Sequence, residues 1–183
     1  MTIAKAEVEI PKVTIDDKGN LEIKASQTSS KDDFDFYVGN WNVKNRKLKK
    51  RLNHCTDWTE FPTTVKMYKT LNGFGNIDHI YALFEGVPFE GLSVRFFNPK
   101  TKLWSIHWSD TNTLSIDKPT VGSFEKEFGH FFSQENIEGQ NVIIVYRWDI
   151  RDKLNPIWSQ AFSADEGLNW EWNWFMHFSK PGE

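Results

Sequence analysis

From residue 41 onward the chain runs in short segments where apolar and polar residues alternate, each bounded by Gly, Pro, Asn or Asp. A period of two is the signature of strands with one face in and one face out. In 103–109, Trp104, Ile106 and Trp108 oppose Ser105, His107 and Ser109; in 141–150, Val142, Ile144, Tyr146, Trp148 and Ile150 oppose Ile143, Val145, Arg147 and Asp149. The same reading predicts strands near 41–50, 56–70, 76–84, 90–97, 103–109, 119–124, 128–134, 141–150, 156–163 and 170–178. Asn98-Pro99-Lys100-Thr101, Ile137-Glu138-Gly139-Gln140 and Asp165-Glu166-Gly167 read as the turns between neighbours. No segment after residue 40 keeps a long 3.6-residue period. The expected fold class is therefore all-β: about ten antiparallel strands in up-and-down order, closed into a barrel that leaves no exposed edge.

Before the strands, Lys31 to Gly39 predicts a short helix, with Asp32 or Asp33 as N-cap and Gly39 closing it. Residues 1–31 carry no aromatic side chain. Val8, Ile10, Val13 and Ile15, then Leu21 and Ile23, alternate around Asp17-Lys18-Gly19-Asn20. Two readings stand for this leader: a small hairpin or an arm laid on another subunit, and a flexible extension. The chain divides into an extension, 1–31, and a barrel domain, 32–183.

Composition adds the content of the barrel. There are 15 Phe, 9 Trp and 4 Tyr, 15% of 183 residues, which excludes a disordered chain and favours sheet. Several strands carry large apolar groups on both faces. That pattern suits an aromatic-lined interior plus a second apolar layer outside, for the helix, the leader or a partner subunit, with a homodimer as one outcome. In the last strand, Trp170, Trp172, Trp174, Met176 and Phe178 are expected on one face, with Glu171, Asn173, Phe175 and His177 on the other.

Asp78, Arg95, Arg147 and Glu171 sit mid-strand among hydrophobic neighbours, where an unpaired buried charge is costly. An Arg–carboxylate network inside the barrel, completed by Asn76, Gln160 and Asn173, would satisfy them. The same Arg side chains suit a ligand carboxylate or phosphate. Together with Trp104 and Trp108, these seven residues are the expected ligand contacts.

Other chemistries find little support. The net charge is −3, so no global field draws the chain to nucleic acid. Lys44-Asn45-Arg46-Lys47-Leu48-Lys49-Lys50-Arg51 is the strongest basic cluster and reads as a solvated edge. His54, His79, His107, His130 and His177 show no metal-ligand spacing, and one cysteine, Cys55, excludes an internal disulfide and a multi-thiolate zinc site. No G-x-S-x-G elbow occurs, and Gly73-Phe74-Gly75 lacks the third glycine and the helix of a dinucleotide fingerprint. No cofactor or metal is expected. Without a signal-like or membrane-spanning apolar run, the chain reads as cytoplasmic and free of the membrane.

Phe34-Asp35-Phe36-Tyr37-Val38-Gly39-Asn40-Trp41-Asn42-Val43 resembles the opening of a bacterial lipocalin-like (calycin superfamily) domain family of unknown function. The similarity continues through Cys55-Thr56-Asp57-Trp58, Gly73 to Asp78, and Arg95 to Trp104 and Trp108. It ends at Trp158 to Ser163 and Trp170 to Met176, spanning roughly 34–180. The resemblance implies a calycin-like barrel and carries no catalytic residues over. The expected function is the binding of a small apolar or weakly acidic molecule in the barrel, oriented by Arg95 or Arg147. The alternative is a cofactor-free lyase, isomerase or hydrolase using an Arg/carboxylate pair, with a carboxylate such as Glu171 or Asp78 as acid or base beside Arg.

Overall fold

A computed structural model describes residues 10–137 and 139–182. Val8 of the leader and Glu138 of the 137–140 turn lie outside them. A two-stranded hairpin, β1 (Thr14–Ile15) and β2 (Leu21–Glu22), precedes ten long strands. These are β3 (Gly39–Leu48), β4 (Trp58–Thr70), β5 (Gly75–Phe84), β6 (Val87–Asn98), β7 (Leu103–Asp110), β8 (Thr120–Glu125), β9 (Phe128–Ile137), β10 (Gln140–Asp149), β11 (Ile157–Ser163) and β12 (Glu171–Ser179). Each pairs antiparallel with its sequence neighbours, and β12 closes the ring on β3. The all-β, closed, up-and-down barrel is thus the observed fold. Among the described residues no helix is long and apolar enough to cross a membrane.

The expected helix shrinks to one 3-10 turn, Asp35–Tyr37. Its neighbouring acids bond locally instead of extending a helix: Asp33 accepts the Ser30 N–H at 3.0 Å. A 3-10 turn eclipses residues three apart, which puts Phe34 and Tyr37 together, 2% and 1% exposed, in one end of the barrel. There Phe34 meets Trp104 and Phe124 edge-on, at 4.9 and 5.1 Å between centroids, and Tyr37 meets Phe178 edge-on at 5.4 Å. Such pairs add about 0.5–1.5 kcal/mol each beyond area burial. The Trp41 indole donates to the Tyr37 carbonyl at 2.7 Å, and Trp104 donates to the Ser30 carbonyl at 3.1 Å. This end, where β3 starts and β12 finishes, is filled.

The second apolar layer belongs to the leader. Ile10, Val13, Ile15, Leu21 and Ile23 pack on Phe132, Ile143, Val145 and Ala161 of β9, β10 and β11, together with Trp170 and Trp172. The hairpin therefore covers an apolar outer face, and the Ser26 amide ties it to β8 through the Ser123 hydroxyl at 2.8 Å.

One expectation about β12 is overturned. Gln160 pairs with Trp174 but Ala161 pairs with Trp172, so Asn173 is an extra residue, a β-bulge. The bulge reverses the alternation. Trp174, Met176 and Phe178 pack with the interior core, whereas Trp170 and Trp172 turn to the outer face. Asn173, fully buried, accepts a 2.7 Å hydrogen bond from the Gln160 side chain, which holds the bulge in place.

Candidate functional site

The opposite end of the barrel is filled only in part: Val142, Ile144 and Phe162 are buried with Leu52, Ile137 and Tyr146 on the β10–β11 side. Trp108, Tyr146, Trp158 and Trp174 share the interior cluster but remain only partly buried. A cavity of about 320 Å³ opens there, at the low end of the roughly 300–1,000 Å³ of small-molecule sites. Its apolar walls come from Phe61 of β4, Ile80 and Phe84 of β5, Val87, Pro88 and Phe89 of β6, Trp108 of β7, and Trp174 and Met176 of β12. The polar groups are Asn45 and Lys47 of β3, Thr63 of β4, and Thr111 and Asn112 after β7.

Some of these polar groups are fixed by each other. Asn45 donates to the Thr63 hydroxyl at 3.0 Å and accepts from the Trp174 indole at 3.0 Å. That pins the Trp174 ring, and Lys47 Nζ lies 3.9 Å from its centroid, a cation–π contact. At the rim Asp110 accepts the Trp108 indole at 3.1 Å and the Asn112 and Thr113 amides at 2.8 and 3.0 Å. Burial favours its neutral form, but those hydrogen bonds outweigh it and hold the carboxyl below its usual range.

Lys47 is the one lysine or arginine among the described residues lining the cavity. Burial, reinforced by the nearby positive charge of Arg51 and opposed by Asp110, pushes its ammonium down to about 8. Around the rim, burial and then the Asp117 charge hold the Glu135 carboxyl above its usual value, against the pull of Lys118 and Arg51.

The expected ligand contacts spread over five environments. Trp108 lines the cavity. Asn76, Asp78 and Arg95 are buried under the Phe34–Tyr37 plug, where Arg95 Nη2 meets Asp78 Oδ2 at 2.5 Å and Arg95 Nη1 donates to Asn76 Oδ1 at 3.1 Å. Arg95 also faces the Phe34 and Tyr37 rings, at 5.1 and 5.5 Å, and Trp104 belongs to the same filled end. Gln160 and Asn173 are engaged with each other at the bulge.

Glu171 stands opposite Phe162, where its carboxylate accepts the Leu52 amide at 2.9 and 3.0 Å and ties the β3–β4 loop down. Arg147 lies on the outer face, 4.2 Å from the Trp172 ring and opposite His130. Burial, then the Arg147 charge, lowers that histidine to about 4. The network expected inside the barrel exists, but it is the Asp78–Arg95–Asn76 set alone, paired internally and away from the cavity.

Lys47 escaped the sequence reading because it sits in a basic run taken as a solvated edge. Counting in twos from Trp41, Val43 and Asn45, all buried, places Lys47 on the same inward face. Among the described residues no three His, Cys, Asp or Glu side chains converge as a metal site requires.

No family model matches the chain, and no curated protein matches it. The closed barrel is compatible with the calycin-like fold that the opening and closing motifs imply.

Proposed function

We propose that this lipocalin-like protein binds a small, largely apolar molecule with an acidic end in the open half of the barrel. The observation that carries the reading is the aromatic-walled cavity with Lys47 as its cation. Burial of an apolar ring system against Trp108, Trp174 and Phe89 supplies affinity. The Lys47 ammonium, poised over Trp174, receives the carboxylate. In this reading the role first assigned to Arg95 or Arg147 passes to Lys47, because Arg95 is committed to Asp78 and Arg147 to the outer face.

The test is a titration with 2-naphthoate and its neutral counterpart 2-naphthalenemethanol, followed by tryptophan fluorescence. At pH 7, naphthoate should bind about tenfold more tightly, equivalent to about 1.4 kcal/mol. That preference should vanish in Lys47→Met and fade in the wild type as pH rises through 8, where the ammonium is lost. Equal affinities for the two probes, or no saturable binding, would overturn the proposal.

A further inference from the structure

Lys47 has a second chemical capability that an anion anchor does not use. Its amine projects from β3 into a cavity whose other polar groups are uncharged and cannot form an ion pair with it: Asn45 donates to Thr63 and accepts from Trp174, and Thr111 and Asn112 belong to the rim. Arg51 repels its positive charge, and Asp110, already accepting from Trp108, Asn112 and Thr113, only partly offsets that. An amine desolvated among aromatic walls beside another cation is the setting in which lysine becomes a nucleophile toward carbonyl carbon.

We propose that Lys47 captures small apolar aldehydes in this cavity as a reversible imine. The inference rests on the open half of the barrel being a ligand site. The neutral Nζ attacks the carbonyl carbon, and a carbinolamine forms as the oxygen takes up a proton. Loss of water leaves a C=N bond, so one amine and one aldehyde give one imine and one water, with no change in oxidation state. Protonation of the imine from solvent restores a cation at the position that already lies 3.9 Å from the Trp174 ring, which stabilises the adduct. The apolar walls hold the aldehyde's ring and limit the water that would reverse the reaction.

The neighbours on the same run provide an internal control. Lys49 and Lys50 are exposed, two and three residues away, and have no such environment. With Lys47 near 8 and an ordinary lysine near 10.5, roughly 200-fold more of Lys47 is neutral at pH 7.5.

The experiment incubates the full chain with substoichiometric 2-naphthaldehyde and sodium cyanoborohydride at pH 7.5, which reduces any imine to a stable amine, and maps the adduct by peptide mass spectrometry. Lys47 should carry at least ten times the label of Lys49 or Lys50, 2-naphthoate should compete, and Lys47→Arg should abolish the selective label. Circular dichroism confirms that the variant is folded. Label distributed over surface lysines with Lys47 unmodified, while naphthoate still binds saturably, would overturn imine capture and leave the binding site standing. Absence of both naphthoate binding and selective labelling would overturn the two together.

Discussion

The Asp78–Arg95 pair decides whether the buried charges of this barrel serve structure or ligand, and a double-mutant cycle separates the two. The side chains are 1% and 5% exposed, their closest atoms are 2.5 Å apart, and Asn76 accepts a further Arg95 hydrogen bond. The Phe34 and Tyr37 rings close over the guanidinium. Removing one partner leaves the other charged, buried and without its counterion, a change that costs about 3–5 kcal/mol. Asp78→Asn and Arg95→Met should each lose that amount in urea denaturation. For a domain of this length the matching fall in Tm is roughly 6–20 °C. The double variant removes both charges and should cost less than the sum of the singles, with a coupling of about 2–3 kcal/mol. Folded protein of each variant should bind 2-naphthoate with wild-type affinity, because neither residue lines the cavity. A single substitution costing less than about 1 kcal/mol, or folded Arg95→Met that no longer binds naphthoate, would refute this assignment.

Three further predictions follow from the same geometry. His130 is held neutral down to about 4, so the folded state binds fewer protons than the unfolded one between about pH 4 and 6.5, and stability falls as pH drops through that window. Between pH 7 and 4.5, urea denaturation should show His130→Gln losing about 2–3 kcal/mol less than the wild type; equal losses would exclude the histidine. Lys47 is also a buried base with a lowered value, so wild-type stability should rise between about pH 8 and 10.5 as the unfolded state keeps its proton longer. Lys47→Met should stabilise the protein by about 1–3 kcal/mol at pH 7, an advantage that shrinks across that window in thermal melts. At Gly91 a Cβ would overlap the Trp108 ring. Gly91→Ala should therefore push the indole into the cavity and weaken naphthoate binding about tenfold, about 1.4 kcal/mol, with unchanged affinity as the contrary result.

The strands were legible because a two-residue period survives in a chain whose core is made of rings. The expected 76–84 and 103–109 are observed as Gly75–Phe84 and Leu103–Asp110. Asn98 also behaves as the turn reading requires, its carbonyl accepting the Lys102 amide at 2.8 Å. What alternation cannot reveal is a place where it breaks. The bulge at Asn173 reversed the faces of Trp172 and Trp174, and the local run shows only evenly spaced tryptophans.

The mid-strand charges were readable as a set that needed partners, yet not as one buried pair, one loop tie and one outer-face arginine. Their partners are supplied by Leu52, Trp172 and Asn76, from other elements of the chain. Lys47 was hidden by its company, since Lys44 and Arg46 on the same strand do face outward. The leader's apolar residues were visible, but their destination on β9–β11 was set by tertiary packing.

The occupancy of the open half of the barrel is tested most directly by a crystal structure of the protein grown with 2-naphthoate. The expected result is a naphthyl ring between Trp108 and Trp174 with its carboxylate within hydrogen-bond reach of Lys47 Nζ. A naphthoate bound only on the outer face beside Arg147, or an open half that excludes the probe while the protein is saturated with it, would contradict the proposed site.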